Sequence, residues 1–169
     1  MIGRPESTEA APYYFRYIDR ISDNDIVRVV SDQLQDTLEL CSTISEGKSL
    51  YRYAADKWSI RQVVNHITDS ERAFAFRAFW FARGFETPLP GFDQDSAAAG
   101  AMADSISWAA HIEEFRRVRL ASISLFENMP PAGWTRGGIA SDNYVSVRAL
   151  AYIIAGHLSH HLAILSERY

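Results

Sequence analysis

A single cysteine in 169 residues, Cys41, excludes an intramolecular disulfide and any zinc site built from several thiolates. So few thiols fit a reducing compartment, and the cytoplasm is the expected location. Basic runs are missing as well. A formal net charge of -4 gives phosphate backbones no general attraction, so nucleic-acid binding is not expected. Nowhere do about 18 apolar residues run uninterrupted, and the N-terminal MIGRPESTEAAPYYFRY has no apolar core of signal-peptide length. Neither membrane insertion nor export is expected. No repeat of fixed period and no low-complexity linker divides the chain, which reads as one domain over residues 1–169.

What the chain does have is 47% hydrophobic and 22% charged residues, an ordinary balance for a protein that folds in water. The apolar residues recur with helical spacing in four segments. From Asp25 to Thr43 the stripe is Ile26, Val29, Val30, Leu34, Leu38 and Cys41. In KWSIRQVVNHITDSERAFAFRAFWFARG, Ser59 reads as an N-cap, the stripe runs from Ile60 through Ile67 and Phe74 to Phe81, and Gly84 supplies the stop. A third helix is expected from Ser105 to Asn128, ended by Pro130, Pro131 and Gly133. The fourth starts near Ser146 and carries Val147, Leu150, Ile154, Leu158, Leu162 and Leu165 almost to the C-terminus.

Between them, FETPLPGFDQD and GWTRGGIASDNYVS read as loops without convincing strands. The expected fold is all-α, an antiparallel-type four-helix bundle with long connecting loops, and the connections at 85–104 and 129–145 are long enough for crossovers. Residues 13–21, rich in tyrosine, read as a short extra helix or an extended strap.

Three of the five histidines, His157, His160 and His161, fall in GHLSHHLAIL. With Leu158 at zero and each residue advancing roughly 100°, His161 lies at about -60° and His157 at about -100°, on one flank of the apolar stripe. His160, near 200°, faces water. An i,i+4 pair has its Cβ atoms about 5 to 6 Å apart, which suits two imidazoles sharing a metal, but a third ligand must come from elsewhere. His66, at about -100° from Ile67 on the second helix, can reach the bundle interior. His111, beside two glutamates, has no clear direction.

Spacing alone leaves a hydrogen-bonded boundary pair open as the plainer reading of His157 and His161. Leu158 stands where H-E-x-x-H would place its general base, so a metalloprotease is not expected. Glu71 falls about 40° from Ile67, inside the apolar stripe, where a lone carboxylate is costly. It needs either an arginine partner, such as Arg77 or Arg148, or a role in orienting a ligand histidine. Asp69, near 200°, points outward. Trp58, Phe74, Phe76, Phe79, Trp80 and Phe81 read as core and contact surface rather than a cofactor box.

The segment KWSIRQVVNHITDSERAFAFRAFWFARG, followed by TPLPGFDQD and closed by VSVRALAYIIAGHLSHHLAILSERY, resembles the DinB-like superfamily of bacterial four-helix-bundle proteins over nearly the whole chain. The resemblance implies a divalent metal held by His66, His157 and His161, with zinc expected first and nickel, iron or manganese compatible. It also implies transfer of a low-molecular-weight thiol, such as bacillithiol or mycothiol, to a small electrophile, and a homodimer. One departure is Leu158, where an acidic residue would be expected after the first histidine of the closing motif. A metal-dependent hydrolase and a noncatalytic metal-binding or dimerisation module are the alternatives.

Overall fold

The structure, a computed structural model, describes residues 2–169. The helices are α1 (Phe15–Ile18), α2 (Ile26–Ser42), α3 (Ile60–Ala82), α4 (Gln94–Ala101), α5 (Trp108–Glu127), α6 (Pro131–Trp134) and α7 (Val147–Arg168). A hairpin of β1 (Gly137–Ala140) and β2 (Asn143–Ser146) precedes α7.

Each long helix begins on a side chain that accepts from an otherwise orphaned backbone N–H. Asp25 accepts from Arg28 in α2, Ser107 from Ala110 in α5, and Ser146 from Ala149 in α7. At α3 the cap is reciprocal: Ser59 Oγ accepts from the Gln62 N–H at 3.1 Å while Gln62 Oε1 accepts from the Ser59 N–H at 3.0 Å. Caps of this kind contribute about 1 kcal/mol each. At its other end α3 stops before Gly84, whose φ of 84° suits glycine.

Helix directions follow from contacts at known heights. Tyr169 donates to the Trp58 carbonyl at 2.6 Å, so α3 and α7 run antiparallel. The Trp108 indole donates to the Cys41 carbonyl at 3.2 Å, which sets α5 antiparallel to α2. Ser59 meets Asp104, and Arg72 donates to Glu114 at 2.7 Å, so α3 and α5 are parallel. Tyr152 donates to the Asp23 carbonyl at 2.8 Å and Gln33 to the Ala155 carbonyl at 3.0 Å, so α2 and α7 are parallel too. The order is up, down, down, up, with α2 facing α3 and α5 facing α7 across the diagonals. Residues 83–107 return the full length of the bundle as a crossover, as their length allows. Residues 129–145 do not: they join α5 to α7 at one end.

Both connections, expected to be loops, carry secondary structure. Asp93 caps α4, and the Leu89 N–H donates to the Ile139 carbonyl at 2.9 Å, laying the crossover along the hairpin. The hairpin forms because Gly138 lets β1 sit on Phe81: a Cβ there would lie 2.3 Å from the ring. Its tip, Ser141 and Asp142, has φ of 52° and 62°, the left-handed pair that a tight hairpin requires.

α7 is the central helix. From Val147 to Leu158 every residue is buried except the half-buried Arg148. Length and composition alone would let α7 cross a membrane, with a mean hydropathy of 1.3 over its most apolar window, and burial on all sides accounts for that apolarity. Phe74 and Phe81 are core residues, whereas Phe76 and Phe79 are exposed and Trp80 stacks on Phe85 at 4.2 Å. Those two phenylalanines therefore belong to the surface.

Candidate metal centre

Because α3 and α7 are antiparallel neighbours, the first half of α3 lies beside the second half of α7, and His66 meets His157 and His161 there. His66 Nε2 and His161 Nε2 each lie 3.1 Å from His157 Nε2. One ring nitrogen from each histidine falls within 4.8 Å of the other two. The other two histidines stay out of the trio. His111 is buried, with its Nε2 2.9 Å from the Ala103 carbonyl, and supports the start of α5. His160 is half-buried rather than facing water, because the Tyr17 ring packs 5.5 Å from it.

Hydrogen bonding within the chain cannot satisfy this arrangement. In a neutral imidazole, Nε2 carries either one hydrogen or one lone pair, so His157 Nε2 can be matched to one of its two neighbours at most. A cation satisfies all three lone pairs at once. Ligands at about 2.05 Å in a tetrahedral array are about 3.3 Å apart, close to the observed spacing.

The electrostatics agree with neutral ligands. Burial lowers the His66 pKa to about 4, with Asp69 and Asp95 opposing the shift. Burial and then the neighbouring His66 and His160 lower His161 to about 3. His157 is pushed well below its ordinary value by burial and by His161 and His66. Imidazoles must be neutral to bind a metal, and these are neutral without one.

The rings are held from outside. Ser70 Oγ lies 3.4 Å from His66 Nδ1, and in the tautomer that carries its hydrogen on Nδ1 the hydroxyl accepts it and Nε2 faces the trio unprotonated. Tyr17 packs edge-on against His157 at 5.2 Å, and Trp58 lies 5.0 Å from His66. Tyr17 reaches that place because residue 156 is glycine: a Cβ there would lie 2.0 Å from the Tyr17 carbonyl oxygen. The leader is thus a short helix strapped onto α7, and it walls the centre.

Two cavities open beside the trio. One of about 230 Å³ is lined by His66 and His157 together with Tyr17, Ser70, Arg77 and Ser141. The other, of about 210 Å³, lies on the His161 side against Lys57, Trp58, Ile164 and Tyr169. The sequence pattern points to neither Tyr17 nor Ser70 as a lining residue, and to Arg77 only as a partner for Glu71. A signal existed for two of them: relative to His66, Ser70 falls at about 40° and Arg77 at about 20° on α3, the same face. Tyr17 carried no such signal, since its approach depends on how α1 docks.

Glu71 is buried as expected, but its partner is neither Arg77 nor Arg148. It lies 2.8 Å from Arg119 Nη2 of α5, and both side chains are essentially sealed from solvent. Helical angles gave the direction of Glu71 correctly. They could not show that the parallel neighbour α5, rather than α7, faces it. The contact is an ion pair without an aligned hydrogen bond, because neither Glu71 oxygen has a hydrogen-bonding partner among the described residues. Arg148 pairs instead with Glu9, and Arg77 donates to the Pro90 carbonyl and to Ser141 Oγ. No histidine contact involves Glu71 among the described hydrogen bonds, so it does not orient a ligand. Asp69 is half-exposed, as expected, accepting from Asn65 and pairing with Arg72. Cys41 is buried, which raises its thiol to about 11 and leaves it inert.

The sequence profile of the DinB superfamily matches residues 30–165. Among curated proteins no sequence matches the chain. Among solved structures, YfiT from Bacillus subtilis, described as a probable metal-dependent hydrolase with an unusual four-helix bundle topology, superposes with a TM-score of 0.70 at 16% identity. That match covers 96% of this chain and 89% of YfiT. A mycothiol-dependent maleylpyruvate isomerase superposes with a TM-score of 0.70 at 9% identity, over 86% of this chain and 61% of the isomerase. At these identities the structural likeness establishes the fold, and the profile match establishes the family. The chain belongs to the DinB superfamily.

Proposed function

We propose that this protein is a divalent-metal-dependent enzyme in which His66, His157 and His161 hold the ion and a low-molecular-weight thiol is joined to a small electrophile. The observation that carries the reading is the convergence of three neutral Nε2 atoms, two of them 3.1 Å from the third, which the chain's own hydrogen bonds cannot satisfy. Three imidazoles leave coordination positions open, as in catalytic rather than closed structural sites. When bound there, a divalent ion supplies Lewis-acid chemistry that brings the pKa of a coordinated thiol or water toward neutrality. Zinc is the first choice, with nickel, iron or manganese compatible with imidazole.

The residues around the trio supply position and shelter. Ser70 Oγ lies beside His66 Nδ1 at 3.4 Å, while Tyr17 and Trp58 pack against the rings and limit their rotation. The cavities on its two sides give room for two small ligands, which favours a two-substrate reaction. In that reaction the thiol gives its proton to solvent and sulfur bonds to the electrophilic carbon. The displaced group leaves with its bonding pair.

Hydrolysis of a small substrate is the second reading, favoured by the likeness to YfiT. Against it, no carboxylate joins the trio among the described residues, Leu158 occupies the place of a zincin base, and Glu71 is engaged by Arg119. A noncatalytic module that binds metal or dimerises through the exposed Phe76 and Phe79 is the third. Turnover by the zinc-loaded chain separates them. A chloronitroarene consumed only when bacillithiol, mycothiol or cysteine is present supports thiol transfer. Cleavage of a nitrophenyl ester without thiol supports hydrolysis, and inactivity in both assays leaves the module.

A further inference from the structure

Three arginines are buried among the described residues: Arg61, Arg77 and Arg119, at 4%, 5% and 0% exposure. Arg61 is paired with Glu46 and Arg119 with Glu71. Arg77 is the exception, with no carboxylate partner among the described residues. Its Nη2 donates to the Pro90 carbonyl and to Ser141 Oγ, each at 3.0 Å. Its Nε and Nη1 meet no acceptor among the described residues, and unlike Nε of Arg119 they are not sealed from the surroundings. A buried guanidinium without an anion is costly, so the missing counter-charge asks for an explanation.

The cavity beside the histidine trio supplies one. Arg77 lines it together with His66 and His157. Phe74 links the two ends: its ring centroid lies 5.8 Å from the Arg77 guanidinium carbon and 6.2 Å from the His157 ring centroid. We propose that Arg77 binds a carboxylate on the substrate, docking an acidic small molecule with its reactive part toward the trio. This inference rests on the enzymatic reading above and names the class of its substrate. A carboxylate suits the site better than a phosphate dianion, because among the described residues Arg77 is the single charged side chain lining a cavity of only about 230 Å³.

The loops around Arg77 fit that role. Ser141 takes a left-handed φ of 52° at the hairpin tip, and its N–H donates to the Leu89 carbonyl at 3.2 Å. The crossover and the hairpin are thereby tied together, and each offers one acceptor to Nη2. That leaves the guanidinium oriented before any ligand arrives, which lowers the cost of binding.

The test is a pair of titrations followed by NMR on the zinc-loaded full chain, with propionate and its neutral isostere propionamide as probes. Propionate is expected to bind at least roughly tenfold more tightly than propionamide, as a charge-assisted hydrogen bond implies. Arg77→Gln is expected to erase that preference while zinc content stays at the wild-type level. Equal binding of the two probes to the wild type overturns the assignment, as does a preference that survives in Arg77→Gln. Inorganic phosphate binding more tightly than propionate through Arg77 overturns the carboxylate class. Should Arg77→Gln fail to fold, Arg77→Lys takes its place: a weakened or lost preference for propionate supports the site, and a preference of wild-type strength opposes it. Zinc content and thiol-dependent turnover of the same samples separate the two claims. Failure of those with Arg77-dependent propionate binding intact counts against the enzyme alone, and the reverse pattern counts against the carboxylate site alone.

Discussion

The histidine trio, with His161 half-buried, and the sealed Glu71–Arg119 pair lie a little over one helical turn apart on α3, and both are polar. They end differently. Around Arg119 the chain provides most of what it buries: Glu71 from α3 lies 2.8 Å away, and Nη1 donates to Gln33 of α2 at 3.4 Å. Gln33 in turn donates to the Ala155 carbonyl and to Ser159 Oγ of α7, at 3.0 and 2.9 Å. Four helices thus meet in one network, and only a bundle with α5 seated between α2 and α3 can form it. Burial lowers the Arg119 pKa, and the Glu71 carboxylate opposes that shift. The trio also draws on α3 and α7, but among the described residues no carboxylate joins it, and Asp69 and Asp95 act on His66 only from a distance. Its three nitrogens face one another beside open cavities. One polar layer specifies the arrangement of helices, and the other brings three imidazoles together in a group that could hold an ion. Arg77 repeats the second pattern on a smaller scale.

The contrast can be broken most sharply at the sealed layer. Arg119→Met leaves Glu71 buried without a partner and is expected to lower stability by about 3 to 5 kcal/mol in urea denaturation. Replacing both residues with leucine and methionine is expected to recover most of that loss. A single variant as stable as the wild type would show that the pair does not constrain the bundle.

Acid should act next, on the trio. In the metal-free protein the folded pKa values of His66 and His161 lie at about 4 and about 3, below the ordinary value of 6.5. The unfolded chain therefore binds protons more readily as pH falls below 6.5. Stability is expected to be level above that pH and to fall, by on the order of a few kcal/mol, between 6.5 and about 4. Thermal melts of the metal-free chain across that range check it. Replacing His66 with glutamine should flatten the slope, and an unchanged slope would locate the acid sensitivity elsewhere.

A smaller effect is expected at the strap. Gly156→Ala forces a methyl group against the Tyr17 carbonyl and should cost about 1 to 3 kcal/mol by overpacking. It should also displace Tyr17 from His157 and open the larger cavity. Stability within experimental error of the wild type would mean that α1 is not seated as described.

How much of this could be read beforehand depended on whether the signal was local. The four long helices were legible because their stripes are local: Ser59 reads as a cap and is one, α2 and α7 begin beside Asp25 and Ser146 as expected, and α5 begins at Trp108, capped by Ser107 and three residues after the expected start at Ser105. The histidine spacing was legible on the same grounds, since each ring's direction follows from its own helix. The hairpin was not. Its strands are four residues each, and Ser141 and Asp142 lack the glycine that marks most such turns. Helix α4 escaped as well, because it buries no residue and so shows no stripe. The partner of Glu71 depended on which helix lies beside α3, and that is a property of the up, down, down, up order. The cavity at Arg77 needed two loops folded over α3, which no single segment announces.

The central claim is that the trio is a ligand set awaiting a divalent ion. Metal analysis of the purified chain, after dialysis against zinc and beside His66→Ala and His157→Ala, tests it most directly. About one zinc per chain is predicted for the wild type, with a raised melting temperature, and neither in the two folded variants. A folded His66→Ala protein that keeps its full complement of zinc would contradict the account.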